Sequence, residues 1–186
     1  MRYEDHIGLW KRELSNWLPN QIFDAHTHLS PPGIMRQLTA ARLREPLTTF
    51  TSNTWHQLTE AYANVFNGKE VLGVIGFPFP LREVDIARAN DYIVDLMCSE
   101  SRLRGFILAH PEDSQETIRQ FHKAEKRGVR FAGVKPYFDL LGKSNYATRM
   151  PEFIPEGLLD FMNSERLVIF CLLRYSNSSS AKNIFE

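Results

Sequence analysis

The stretch from Leu103 to Tyr137, "LRGFILAHPEDSQETIRQFHKAEKRGVRFAGVKPY", reads as one strand, one helix and a second strand. "LRGFILAHP" (103–111) is an apolar run closed by Pro111, the form of a strand buried on both faces. "SQETIRQFHKAEKRG" (114–128) has helical spacing, with Ser114 as the expected N-cap, Thr117 at the third position and Gly128 as the stop. "FAGVKPY" (131–137) is again apolar and ends at a proline. Two apolar strands around a helix of this length predict a parallel crossover unit.

The same unit recurs on both sides. Upstream, "EVLGVIGFP" (70–78) predicts a buried strand bounded by "NGK" and by Pro78 and Pro80, and "REVDIARANDYIVDLMCSE" (82–100) a helix. Further upstream lie a helical segment around Trp55 to Phe66 and a short strand, "QIFDA" (21–25), cut off by "PPG" at 31–33. Downstream, "PEFIPEGLLDFMNSE" (151–165) predicts a helix and "RLVIFCLL" (166–173) a fifth strand. The expected fold is α/β with parallel strands, and its functional face is expected at their C-terminal ends. Residues 1–20 are expected to form a helical extension and 21–173 the domain. Residues 174–186, which carry "SNSSS" (176–180), read as an irregular tail.

The bulk numbers narrow the function classes. The chain has 186 residues, 43% hydrophobic and 24% charged, too apolar for a disordered protein. Lys plus Arg and Asp plus Glu are both 22, so no net field argues for nucleic acid or an anionic membrane surface. Cys98 and Cys171 make neither a disulfide framework nor a Cys-x-x-Cys pair. The N-terminus lacks the apolar core of a signal peptide, and no stretch reaches the roughly 18 apolar residues of a membrane span. A cytoplasmic protein with a small-molecule substrate is the expectation.

The chemistry concentrates in "FDAHTHLS" (23–30), at the end of the first strand. Alternate strand residues share a face, so His26 and His28 are expected to point together and Thr27 away. Two neutral imidazoles so placed can reach one divalent ion. Asp24, two residues earlier, is expected on the same face as a hydrogen-bonding support. The alternative is a chance His-x-His on a surface. An all-β cupin barrel also uses such a pair, but the long helical intervals oppose it.

"IFDAHTHLSPPG" (22–33) resembles the first-strand motif of the amidohydrolase superfamily, in particular its amidohydrolase-related branch of metal-dependent hydrolases and decarboxylases. The segment 103–137 is similar to that family's third-to-fourth-strand region, including glycine-valine-lysine at 133–135. The resemblance covers roughly residues 20 to 170. It implies a (β/α)8 TIM barrel, of which this chain holds about five of eight βα units. It also implies that His26 and His28 bind a divalent metal, usually Zn2+.

Lys135, at the end of the fourth strand, is then a carboxylated metal bridge, a contact for an anionic substrate group, or a lysine that only snorkels to the mouth. His110, closing the third strand, either orients substrate and moves a proton or merely bonds its loop. Tyr137 and Asp139 are weaker candidates. His6, His56 and His122 lack a strand-end context and read as structural or solvated.

The implied reaction is metal-dependent hydrolysis of an amide, ester or related C–N or C–O bond. The alternatives are nonoxidative decarboxylation of a small carboxylic acid at the same metal, and a non-catalytic truncated remnant. The last arises because the family's third ligand is a histidine ending strand five, whereas no histidine follows His122. A full barrel takes about 250 residues or more. A fragment or a frameshift near residue 170 is therefore expected, with open sheet edges that favour aggregation or a homo-oligomer.

Overall fold

A computed structural model describes residues 6–45, 48, 51–143 and 148–171. The irregular tail expected at 174–186 lies outside them. The chain starts with a helical turn, α1 (His6–Leu9), that continues as a wider π-type turn over Trp10–Leu14. Trp10 anchors this segment by packing edge-on against Phe66 and donating its indole N–H to the Asn67 carbonyl at 3.1 Å.

Five strands follow, β1 (Gln21–His28), β2 (Glu70–Phe77), β3 (Leu103–Leu108), β4 (Gly133–Lys135) and β5 (Val168–Ile169). All neighbouring pairs are parallel and the spatial order is the chain order, so the sheet curls into a half-barrel. Between the strands run α2 (Trp55–Val65), α3 (Ile86–Ser99), α4 (Ser114–Lys126), α5 (Met150–Phe153) and α6 (Glu156–Glu165).

The helices cover one side of the sheet, and the main core lies between. Leu58 of α2, Ile93 and Val94 of α3, Phe121 and Ala124 of α4, and Leu158 and Met162 of α6 pack against Val71, Val74, Leu103, Ile107 and Val134 of the strands. In α4 and α6 these positions stand three and four residues apart, the spacing of an amphipathic stripe. A buried amide couples α3 to the sheet: Asn90 accepts from the Leu108 N–H at 2.8 Å and donates to the Leu108 carbonyl at 3.0 Å.

Several boundaries differ from the sequence reading. β1 runs on through His28, while β5 shrinks to two residues. The expected helix over 151–165 is two helices, because Ile154 precedes Pro155 and is held in an extended-side conformation. The N-cap of α4 is Asp113, whose carboxylate accepts from the Glu116 N–H at 2.9 Å, so Ser114 is the first helical residue instead. The strands are also not buried on both faces throughout. Phe23 is 53% exposed on edge strand β1, and Val168 and Ile169 are 58% and 37% exposed on edge strand β5.

Candidate functional site

The pairing of β1 with β2 decides what faces the open side of the half-barrel. Asp24 pairs with Val74 and Thr27 with Gly76, so β1 carries one extra residue between them. That bulge swallows one alternation of side-chain direction. Asp24 and Thr27 therefore share a side, where both meet the Tyr62 hydroxyl of α2. Tyr62 donates to Asp24 Oδ2 at 2.5 Å, and the other carboxylate oxygen accepts the His26 backbone N–H at 2.9 Å. The expectation that Asp24 would stand beside the imidazoles is corrected by this geometry. The carboxylate braces the bulge from behind.

His26 and His28 stay two residues apart and converge. Their Nε2 atoms are 3.3 Å apart and their ring centroids 5.2 Å. Two nitrogens bound to one tetrahedral ion at about 2.0–2.1 Å stand about 3.3 Å from each other, so the pair is pre-set for two positions of such an ion. The Nδ1 of His28 lies 3.3 Å from the Pro78 carbonyl, an acceptor only, so this nitrogen carries the proton and Nε2 keeps its lone pair. Asn53 donates to the His28 carbonyl at 2.9 Å, and backbone bonds between Ser30 and Asn53 fasten the same turn. Burial drives the His28 imidazole down to about 4, and burial with Lys135 nearby lowers His26. Both rings are neutral near pH 7, as metal ligation requires.

Aromatic rings floor the site. Phe77 lies against both imidazoles, Phe79 stacks on His28 at 4.9 Å, and Phe170 meets His26 edge-on at 4.8 Å. Lys135 is fully buried, and its Nζ lies 4.9 Å from the Phe77 ring and 4.7 Å from the Phe170 ring. The lysine and the histidines thus share two rings. Its burial pushes the ammonium down to about 8.

His110 is placed differently. Its backbone N–H donates to the Thr117 hydroxyl at 3.0 Å and its Nδ1 accepts the Glu112 N–H at 3.3 Å. The imidazole proton then resides on Nε2. Among the described residues no hydrogen bond or ring contact joins His110 to the histidine pair. Asp139 is occupied as well: the buried Arg42 guanidinium donates to both its oxygens, at 2.6 and 3.1 Å, and grips Glu83 at 2.8 and 2.9 Å. This cluster ties together the loops after β1, β2 and β4. His56 and His122 are solvated beside helix carboxylates, Glu60 and Glu125.

The sequence reading missed Asn53, Tyr62 and Phe170. Their roles depend on contacts across 25 or more residues, which no local spacing reveals. For the metal, the two imidazoles fit, while no group of three or more His, Cys, Asp or Glu suited to an ion occurs among the described residues. Among them, too, no helix is long and apolar enough to cross a membrane. No family model, no curated protein and no solved structure matches this chain.

Proposed function

We propose that this chain is part of a metal-dependent hydrolase of the amidohydrolase-related kind, its half-barrel a portion of a (β/α)8 barrel. The observation that carries this reading is the 3.3 Å convergence of His26 Nε2 and His28 Nε2, with His28 turned by the Pro78 carbonyl. His26 and His28 hold a divalent metal, Zn2+ by donor type. A metal so bound supplies an acidified water and a polarising charge for cleaving an amide, ester or related C–N or C–O bond.

The chain's own residues do the rest. Asn53 and the Pro78 carbonyl fix the orientation of His28, and Asp24 with Tyr62 fixes the bulge that aims His26. Lys135 offers its ammonium to an anionic or carbonyl oxygen of the substrate, and His110 offers an Nε2–H to a leaving or incoming oxygen.

Two observations favour other readings. The rings of Phe77, Tyr137 and Phe170 around a lysine suit a flat carboxylic acid, which favours nonoxidative decarboxylation at the same metal. The absence of a third ligand among the described residues favours a non-catalytic chain that binds metal weakly. Assaying the zinc-loaded chain against a panel of amides, esters and aromatic acids separates the three. Hydrolysis that disappears with His26→Ala supports the first reading. Release of CO2 supports the second, and zinc binding without turnover the third.

A further inference from the structure

A tetrahedral zinc ion takes four donors, and a firmly held one usually draws at least three of them from protein. His26 and His28 supply two, and no group of three or more His, Cys, Asp or Glu suited to an ion occurs among the described residues. The pair also lies where a second molecule can reach it. β1 is an end strand of the sheet, and no strand among the described residues pairs with its outer edge. Along that strand Phe23, Ala25 and His26 are exposed, and His28 is half-buried. The rings packed on the two imidazoles, Phe77, Phe79 and Phe170, come from β2, the turn after it and the residue after β5. The geometry of the pair is self-complementary. A two-fold axis of a tetrahedron passes through the midpoints of two opposite edges. The 3.3 Å between the Nε2 atoms is the length of one such edge at a zinc–nitrogen distance of about 2.0–2.1 Å. A two-fold axis through the ion turns that edge into the opposite one.

We propose that two copies of this chain share one zinc ion, each giving His26 and His28, with the ion on the two-fold axis between them. The proposal rests on the reading that the pair holds a metal. Such an association is isologous, since each copy meets the other through the same end of β1. Its balance with the single-chain site is set by mass action. While chains outnumber ions, a second imidazole pair displaces water from a lone chain's ion, and four nitrogens surround the zinc. When ions outnumber chains, every pair takes an ion of its own and the copies separate. Saturation therefore ends at one zinc per chain, and the shared ion belongs to the early part of a titration.

The test is sedimentation of the full chain, freed of metal by a chelator, as zinc is added stepwise, with calorimetry run in parallel. The metal-free chain at the same concentration gives the baseline. The sedimenting mass is expected to rise toward about twice that of one chain at one ion per two chains, and to fall back in a large excess of zinc. The rise should be lost in His26→Ala and in His28→Ala, each with unchanged circular dichroism. It should be kept in His56→Ala/His122→Ala, which removes the exposed helix histidines beside Glu60 and Glu125 as a route for zinc cross-linking. Zinc uptake with no rise in mass would overturn the proposal and leave the metal reading standing, whereas no uptake would overturn both. A rise that survives His26→Ala, or that persists in excess zinc, would also overturn the proposal.

Discussion

His28 is oriented by two carbonyl-side contacts that lie far apart in the chain: its ring meets Pro78 and its own carbonyl meets Asn53. Asn53→Ala is therefore expected to weaken zinc binding by about 10- to 100-fold without unfolding the chain, as for other outer supports of metal ligands. Isothermal titration of the variant checks this. Lys135 gives a pH dependence whose sign is fixed by its lowered basicity. The folded chain releases this proton near pH 8 and the unfolded chain near 10.5, so between those values the unfolded state binds more protons. Stability should then rise with pH across that window, and the penalty should be complete below it. Lys135→Met should remove the rise and stabilise the chain at pH 7 by about 1–3 kcal/mol. Urea titrations at pH 7 and above pH 10 compare the two.

At this scale the sequence made the histidine pair readable, because a two-residue spacing on a strand needs only local alternation. The sidedness of Asp24 was not readable. It depends on where β1 slips against β2, which is set by a partner about fifty residues away.

The elements themselves were legible wherever an apolar run met a proline or glycine. All five strands occur, in the expected order and direction. Their ends were not, because termination depends on what the neighbouring strand offers. β5 pairs only at Val168 and Ile169, opposite Gly133 and Val134 of β4. A Cβ on Gly133 would meet the Val168 carbonyl at 2.3 Å and the Phe106 ring at 2.5 Å. Gly133→Ala should therefore detach β5, seen as faster hydrogen exchange of the Phe170 amide, which now bonds the Val134 carbonyl at 2.9 Å.

The loops were the least legible part, and Arg42 shows why. Its partners Glu83 and Asp139 lie 41 and 97 residues away. Arg42→Met takes the guanidinium from the buried Asp139 and the half-buried Glu83, leaving them to contacts with Arg82, and should cost about 3–5 kcal/mol in chemical denaturation.

For the whole molecule, the helices cover one side of the sheet and leave apolar residues open along both edge strands. Phe23 on β1 and Val168 and Ile169 on β5 mark the two opposite edges of the sheet, either of which a second chain can meet. Concentration-dependent association is expected by analytical ultracentrifugation, and Phe23→Lys should reduce it. The claim on which the functional reading stands is that His26 and His28 act together as a metal anchor, and zinc titration of the chelator-treated chain tests it most directly. The expected result is one zinc per chain, readily removed by dialysis against a chelator and lost in both His26→Ala and His28→Ala. A wild-type titration indistinguishable from that of the His26→Ala/His28→Ala double variant would contradict it.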